Sequence, residues 1–239
     1  MPLKTLVIVP AYNEEARIAG VLHGIRQYIP HADVLIVDDG STDLTREVAL
    51  RAGAKVISHP FNLGYGAALQ TGYQYALMKN YEGLVQMDGD GQHDPSSIVD
   101  LLAIVQKGEA DIVIGSRFLE AKEIASTPSP YRAPLTRRLG MKLFGMIASL
   151  LIHQKVTDPT SGFQAMNRRV LEWVSGDRFP CDYPDADVII MLHRAGFQIL
   201  EVPVSMFENQ DKKSMHGGWR PLYYVFKMFL SIFVTLMRE

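Results

Sequence analysis

The sequence has only one cysteine, Cys181. A single cysteine cannot form an intrachain disulfide, and it excludes a zinc site that is built from several cysteines. The first apolar run, residues 6–11, is too short for the core of a signal peptide. These absences predict a cytoplasmic protein that is not exported.

Neither sign of charge is in clear excess, since 24 Lys+Arg and 26 Asp+Glu residues give a formal net charge of -2. Without an overall positive charge the chain has no global attraction to polyanions, although local basic patches stay possible, so nucleic acid is not a predicted partner. Hydrophobic residues make up 47% of the 239 residues. This composition favours one large globular domain over two.

Short apolar runs, rich in β-branched residues, alternate with longer helical patterns. The predicted strands are residues 6–9, 34–37, 55–58, 84–87 and 112–116. The alternation predicts an α/β fold in which helices flank a mostly parallel central sheet. Ligands of such folds bind at the carboxyl ends of the strands.

Polar segments follow three of the predicted strands. They are Pro10-Ala11-Tyr12-Asn13-Glu14-Glu15, Asp38-Asp39-Gly40-Ser41 and Asp88-Gly89-Asp90-Gly91-Gln92-His93. Because the carboxyl ends of parallel strands share one edge of a sheet, the three loops are predicted to converge.

Asp88 and Asp90 are two carboxylates at positions i and i+2 directly after a strand. Both can turn toward one hard cation, which favours Mg²⁺ or Mn²⁺ on a diphosphate. An EF-hand loop is rejected, because its sixth position would be His93 instead of Gly and its twelfth Val99 instead of Glu. A turn that caps the next helix is the alternative without a metal, and it applies to Asp94.

Asp38 and Asp39 end a buried strand, where a charge costs stability unless it is solvated or paired. One of them is therefore predicted to contact a ribose or base, whereas Ser41 suits a helix cap. Tyr12 and Glu14 are expected to pack on the base and to hydrogen-bond to it. For Glu14, a favourable charge in the first turn of a helix is the alternative.

The stretch Gly64-Tyr65-Gly66 has the start of a dinucleotide-binding fingerprint. Its third glycine is absent, because Leu69 stands in that place. A flexible entry to a helix is the preferred interpretation.

Two apolar helical segments lie in the second half. Residues 135–153 have an amphipathic pattern, and Arg132 and Arg138 at its start suit anionic headgroups and a lipid phosphate. The apolar segment 221–237 is about 17 residues long, marginal for spanning a bilayer and better suited to an interfacial helix. Burial in the core or in a subunit interface is the alternative for both.

Six motifs in a fixed order give the chain a family resemblance. They are Pro10-Ala11-Tyr12-Asn13-Glu14-Glu15, Val37-Asp38-Asp39-Gly40-Ser41-Thr42-Asp43, Asn62-Leu63-Gly64, Met87-Asp88-Gly89-Asp90-Gly91-Gln92-His93, Gly115-Ser116-Arg117 and Asp158-Pro159-Thr160-Ser161-Gly162-Phe163. Over nearly its whole length the sequence resembles glycosyltransferase family 2, and within it the polyprenyl-phosphate glycosyltransferases of the dolichyl-phosphate mannose synthase type.

The resemblance implies one GT-A-type nucleotide-binding domain over residues 1–207, followed by a polar loop and an apolar helix in residues 208–239. It implies a nucleotide site made of Pro10, Tyr12, Glu14, Asp39, Asp88 and Gly89. It implies that Mg²⁺ or Mn²⁺ is held by Asp88, Asp90 and Gln92. Phosphate or acceptor contacts are assigned to Arg117, Arg132, Arg138 and Lys213.

Two acidic residues are candidates to face the acceptor. The resemblance places Asp158 near the reacting sugar, with an Asp-Pro turn as the alternative, and Asp185 where many relatives have an acidic residue. If the acceptor is a sugar hydroxyl, one of them is the general base. A phosphate monoester, with a second pKa of about 6, is mostly ionised at pH 7 and needs no strong base.

The predicted activity is inverting, metal-dependent transfer of a sugar from a UDP- or GDP-linked donor to a polyprenyl phosphate. The protein is predicted to be peripheral, on the cytoplasmic face of the membrane, with a small membrane protein or a second copy of the chain as a further partner. The alternatives are a soluble family 2 enzyme acting on a glycan or small-molecule hydroxyl, a nucleotidyltransferase, and a non-catalytic nucleotide-sugar-binding module. The Asp88/Asp90 pair argues against the last.

Overall fold

A computed structural model describes residues 3–119, 135–177, 179–180, 184–207 and 220–237, apart from the side chains of residues 135–142 and 220–226. Three predicted contacts lie outside this description: Arg132, Lys213 and the side chain of Arg138. The predicted domain boundary after residue 207 also falls at the edge of the described ranges.

Strands and helices alternate through most of the described residues. The strands are β1 (Thr5–Ala11), β2 (Asp33–Asp38), β3 (Lys55–Ser58), β4 (Gly83–Gln86), β5 (Ile112–Ser116), β6 (Gln164–Asn167) and β7 (Ile199–Pro203). The helices are α1 (Ile18–Tyr28), α2 (Thr45–Arg51), α3 (Tyr65–Met78), α4 (Ile98–Gln106), α5 (Leu135–Ile152), α6 (Arg168–Val174), α7 (Ala186–Arg194) and α8 (Arg220–Met237).

The seven strands form one sheet in the order β3-β2-β1-β4-β6-β5-β7. Among the strands of the described residues, only β6 runs antiparallel to its neighbours, β4 and β5, so the predicted mostly parallel sheet is confirmed. The five predicted strands correspond to β1 to β5. The sequence did not predict β6 or β7. The four residues of β6 begin with Gln164 and end with Asn167 and form no apolar run. In β7 the apolar residues are interrupted by Glu201, and only Ile199 is buried.

Helices cover both faces of the sheet, which produces two apolar cores. In β1, Leu6 and Ile8 point to a core shared with α3, α5, α6, α7 and α8. Val7 and Val9 point to the other core, shared with α1, α2 and α4. This alternation follows from the period of two in a strand, and all four side chains are fully buried.

No helix among the described residues has both the length and the hydropathy required to cross a bilayer.

The turn after β2 depends on a glycine. Gly40 has a φ of 71°, and a Cβ at this position would lie 2.5 Å from the carbonyl carbon of Phe61. A positive φ is costly for residues with a side chain. The close approach brings the loop before α3 against the end of β2.

Gly40→Ala should therefore lower the free energy of unfolding by about 2 kcal/mol or more. Gly20→Ala is the matched control, since a Cβ at this position in α1 meets nothing within 4 Å. It should raise stability by roughly 0.5–1 kcal/mol, because alanine favours helix. Urea denaturation measures both, and equal effects of the two substitutions would contradict this account of the turn.

Candidate active site

The three polar loops converge at the carboxyl ends of β1, β2 and β4. The backbone N–H of Asn13 donates to the Ser41 hydroxyl at 2.9 Å, and the Asn13 side chain accepts from the Thr42 N–H at 2.8 Å. A Cβ on Gly89 would lie 3.1 Å from the carbonyl oxygen of Pro10. The first loop therefore contacts both of the others.

The prediction that Ser41 caps a helix is wrong. Helix α2 begins only at Thr45, and Ser41 instead binds the first loop. Asp94 acts as predicted, because its side chain accepts from the Ser96 N–H at 2.9 Å at the start of a 3-10 turn.

Asp39 is buried, with 4% of its surface exposed. Its Oδ1 accepts from the Leu63 N–H at 2.9 Å and lies 2.7 Å from Nδ1 of His59. Its Oδ2 accepts from the Gly64 N–H at 2.8 Å. A carboxylate offers about four lone-pair sites, so Asp39 fixes the loop before α3 and keeps about one lone pair for a ligand.

Asp88 accepts a hydrogen bond from the Tyr65 hydroxyl at 2.8 Å. The Tyr65 ring is 40% exposed, but its hydroxyl turns inward and also accepts from the Gln86 side chain at 3.2 Å. Gln86 is in turn bound by the Tyr73 hydroxyl. Burial, and then the charge of Asp88, raise the pKa of Tyr65 well above its ordinary value. Tyr65 therefore stays protonated and fixes one oxygen of Asp88.

Gly162 leaves the space in which Tyr65 and Asp88 meet. A Cβ on Gly162 would lie 2.6 Å from the Tyr65 hydroxyl oxygen and 2.8 Å from Oδ1 of Asp88. The neighbouring Ser161 hydroxyl donates to the carbonyl oxygen of Gly115 at 2.6 Å. A fourth loop, before β6, thus joins the site. The sequence reasoning gave Tyr65 and Gly162 no role, although Gly162 stands in one of the quoted motifs.

Asp90 and Glu14 bring two further negative charges to this edge. Both oxygens of Asp90 bind Gln92, which donates its backbone N–H at 3.0 Å and its side-chain amide. Glu14 pairs with Arg17 at 2.6 Å. Burial raises the pKa of Glu14, and the charge of Asp90 raises it further. Together with Asp88, the two acids create a negative potential that suits a cation.

Asp88 and Asp90 fit a divalent metal that takes part of its coordination from a substrate. Among the described residues no group of three or more His, Cys, Asp or Glu side chains is arranged to hold a metal ion. Mg²⁺ and similar hard ions commonly bind one or two carboxylates and complete their shell with phosphate oxygens and water. The side chain of Asp88 is 32% exposed, so such a ligand can reach it.

His93 binds the backbone of the loop after β4. Its Nδ1 accepts from the Asp88 N–H at 3.1 Å, and its ring stacks on Phe163 with 4.9 Å between centroids. With 3% of its surface exposed, His93 holds the backbone of the loop.

Arg117 and Asp158 form a buried ion pair. The Arg117 side chain donates from Nε and Nη2 to the two carboxylate oxygens, at 2.6 Å each. The exposed fraction is 6% for the Arg117 side chain and 0% for that of Asp158. The two side chains neutralise each other, and the roles of Asp158 as a base and Arg117 as a phosphate contact stay predictions.

Asp185 immediately precedes α7, and its side chain does not cap that helix. Asp187 performs the capping, because its Oδ1 accepts from the N–H groups of Asp185 and Val188 at 3.0 and 2.9 Å. Its Oδ2 accepts from the hydroxyl of Ser231 in α8. Asp187 is fully buried, and burial raises its pKa.

Helix α8 turns a partly polar side inward and an apolar side outward. Ser231 binds Asp187, and the carbonyl oxygen of Thr235 accepts from Arg194 at 2.9 Å. Exposed side chains from α8 and α5 make up what we term the apolar face: Met146, Leu150, Phe229, Leu230, Phe233, Val234, Leu236 and Met237. The two helices meet where the ring of Phe144 lies 5.5 Å from that of Phe229.

The burial of Asp158 generates a prediction. Asp158→Asn keeps the shape of the side chain but leaves the Arg117 charge without its partner, which should cost about 3 kcal/mol of folding stability. Glu172→Gln is the matched control, since Glu172 pairs with Arg168 on the surface and should contribute under about 0.5 kcal/mol.

Urea denaturation measures the free energy of unfolding of both variants. Unchanged stability of Asp158→Asn, together with a loss of turnover, would favour the role of a general base instead.

Comparison with known proteins adds a family match. Residues 6–174 match the model of the family described as Glycosyl transferase family 2. The chain is 32% identical over 226 residues to polyprenol monophosphomannose synthase of Mycolicibacterium smegmatis, covering 90% of this chain and 82% of the relative. It is 30% identical over 224 residues to undecaprenyl-phosphate mannosyltransferase of Micrococcus luteus, covering 90% and 89%.

A solved structure shares the fold. Glucosyl-3-phosphoglycerate synthase from Mycobacterium tuberculosis, in complex with Mn²⁺ and UDP-glucose, matches with a TM-score of 0.69 over 98% of this chain and 78% of that one. The sequence identity is 22%.

Proposed function

Since the chain belongs to glycosyltransferase family 2 and is a glycosyltransferase, we propose that it transfers a sugar from a UDP- or GDP-linked donor to a polyprenyl phosphate. The predicted family and GT-A-type fold are confirmed. The observation that carries the proposal is the meeting of Asp88-Gly89-Asp90 with the first two loops at one edge of the sheet. One relative is named for the synthesis of polyprenol monophosphomannose and the other for mannosyl transfer with undecaprenyl phosphate, which supports a polyprenyl phosphate as the acceptor.

The donor's nucleoside is assigned to the loops after β1 and β2. Tyr12 is 45% exposed, so its ring is available to stack on a base. Asp39 retains hydrogen-bonding capacity, and Pro10 and Gly89 approach each other closely enough to form the floor. A hydrogen bond to the base is assigned to Glu14.

A divalent metal, Mg²⁺ or Mn²⁺, would be held by Asp88 and Asp90, with the amide oxygen of Gln92 as a further ligand. When bound, it would supply positive charge to the leaving diphosphate. The Tyr65 hydroxyl fixes Asp88, and His93 fixes the backbone N–H of the same residue. These contacts hold Asp88 in place before any ligand arrives, and Gln92 does the same for Asp90.

The proposed reaction is one displacement at the anomeric carbon. An acceptor phosphate oxygen forms the new bond to C1 while the bond from C1 to the donor diphosphate breaks, and the nucleoside diphosphate leaves with the electron pair. A single displacement inverts the configuration. The acceptor phosphate is ionised at neutral pH, so it needs no general base, which agrees with the engagement of Asp158 by Arg117. Asp185 is the candidate to face the acceptor.

The acceptor is proposed to reach the site from a membrane surface, with the protein peripheral on its cytoplasmic face. The apolar face consists of large side chains that are exposed to solvent, including Phe233 at 59% and Leu150 at 73%. Ser231, on the side of α8 that faces α7, forms a hydrogen bond within the protein. A helix with this arrangement suits burial in the headgroup boundary of a bilayer. Arg132, Arg138 and Lys213 stay assigned to phosphate groups.

Transfer can be tested with radiolabelled UDP- and GDP-sugars, Mn²⁺ and polyprenyl phosphate, by following the label that enters the organic phase. Asp90→Asn should reduce it by roughly 100-fold or more, because the charge that stabilises the leaving group is lost. Asp100→Asn, an exposed carboxylate on α4, is the control and should match wild type. Proton NMR of the product should show the inverted anomer.

Three outcomes would contradict the proposal. Donor-specific release of nucleoside diphosphate without labelled lipid would favour a soluble acceptor, release of pyrophosphate would indicate a nucleotidyltransferase, and a retained anomer would exclude a single displacement.

Membrane contact has a separate test. Phe233→Glu should lower the fraction that floats with anionic vesicles by roughly tenfold or more, since burying one aromatic side chain contributes about 1.5–3 kcal/mol. Met78→Glu, on an equally exposed apolar residue at the end of α3, should leave flotation unchanged. If Phe233→Glu instead dissociates a dimer and leaves flotation unchanged, a second copy covers the apolar face.

A further inference from the structure

The buried carboxylate of Asp187 connects α8 to the backbone N–H of Asp185, the residue that is proposed to face the acceptor. Oδ1 of Asp187 accepts from the N–H of Asp185 at 3.0 Å and from that of Val188 at 2.9 Å. Oδ2 accepts from the Ser231 hydroxyl. One side chain thus joins α8 to the first turn of α7.

Neither helix packing nor helix capping requires this arrangement. Met228 and Ile232 of α8 are already buried in the core, and burial of apolar side chains of this kind is enough to hold a helix on its neighbour. Capping does not use Oδ2 of Asp187, since the N–H groups of Asp185 and Val188 are both bound by Oδ1. Burying a carboxylate is costly unless it is hydrogen-bonded, so Asp187 depends on the donors at both of its ends.

The position of α8 is defined at two points along α7. Ser231 contacts the start of α7 through Asp187, and the carbonyl oxygen of Thr235 accepts from Arg194 at its end. A displacement of α8 along or away from α7 therefore breaks the hydrogen bond to Asp187 and alters the support of the Asp185 N–H. The outward side of the same helix carries most of the apolar face.

We propose that Asp187 is a positioning residue that couples the seating of α8 on a lipid surface to the backbone at Asp185. Contact of the apolar face with a membrane holds α8 in place. This maintains the hydrogen bond from Ser231 to Asp187 and so holds the backbone at Asp185, which is proposed to face the acceptor. The inference rests on the proposed function, because it assumes that the acceptor is a lipid and that Asp185 faces it.

The donor half of the site has independent support. Asp88 is held by Tyr65 and His93, and Asp39 by the loop before α3. None of these contacts involves α7 or α8. Loss of the Asp187–Ser231 hydrogen bond should therefore affect the lipid acceptor and leave the nucleotide-sugar unaffected.

The test compares Ser231→Ala with two variants of the same helix. Ser231→Thr keeps a hydroxyl and should restore the wild-type behaviour. Thr235→Val removes a hydroxyl one turn later, from a residue whose contact with Arg194 uses the backbone carbonyl, and is the matched control. Ser231→Cys, with a weaker donor of similar size, replaces the alanine variant if that variant does not fold.

The first readout is hydrogen exchange of the peptide that covers residues 184–189, with and without anionic vesicles. Vesicles should slow exchange in the wild type, in Ser231→Thr and in Thr235→Val. Ser231→Ala should exchange about tenfold faster in the presence of vesicles, as expected for loss of a hydrogen bond to a charged group. If vesicles leave wild-type exchange unchanged, or Ser231→Ala responds as Thr235→Val does, the coupling is overturned.

The second readout separates the two substrates. Ser231→Ala should raise KM for polyprenyl phosphate by about fivefold to tenfold, while KM for the nucleotide-sugar stays within about twofold and vesicle flotation is unchanged. Equal changes in both KM values would show a general structural role and overturn the proposal. If the wild type transfers no sugar to the lipid, the proposed function fails, and the exchange experiment still decides whether α8 is coupled to the Asp185 segment.

Discussion

Like-charged side chains must be held close together before any cation neutralises them, and the rest of the site depends on this constraint. Glu14, Asp88 and Asp90 come from loops after two neighbouring strands, so the sheet itself brings their charges together. Each has a donor of its own: Arg17 for Glu14, Tyr65 for Asp88 and Gln92 for Asp90. These donors reduce the repulsion and leave the carboxylates oriented.

The described residues divide into a half that is assigned to the donor and a half that is assigned to the acceptor. The half that is assigned to the donor is formed by β1, β2, β4 and α3, where hydrogen bonds and ion pairs hold Glu14, Asp39, Asp88 and Asp90. The half that is assigned to the acceptor is formed by α5, α7 and α8, which present the apolar face on the outside. The Arg117–Asp158 pair joins the end of β5 to the loop before β6.

Much of this could be predicted from sequence, because buried parallel strands have continuous apolar runs and polar loops at their ends. The five strands β1 to β5 were predicted in this way, and so was the meeting of the Asp88–Asp90 loop with the loops after β1 and β2. The family motifs then gave the GT-A-type fold. Strand β6 was missed because a short antiparallel strand between two buried strands needs no apolar run of its own. Strand β7 was missed because it lies at the edge of the sheet and is mostly not buried.

Pairings between distant residues could not be predicted. Arg117 and Asp158 are 41 residues apart, and each alone has the character of a site residue. Only their contact reveals that they neutralise each other. Similarly, the positioning role proposed for Asp187 could not be predicted, because nothing in the sequence indicates that Ser231 faces it.

Asp88 and Asp90 are proposed to share one divalent metal with the donor's diphosphate, and electron paramagnetic resonance of bound Mn²⁺ reports on that sharing. We expect weak binding to the protein alone, one tightly bound ion when UDP or GDP is added, and loss of that ion in Asp88→Asn. Tight binding that needs no nucleotide, or that survives the loss of Asp88, would contradict this proposal.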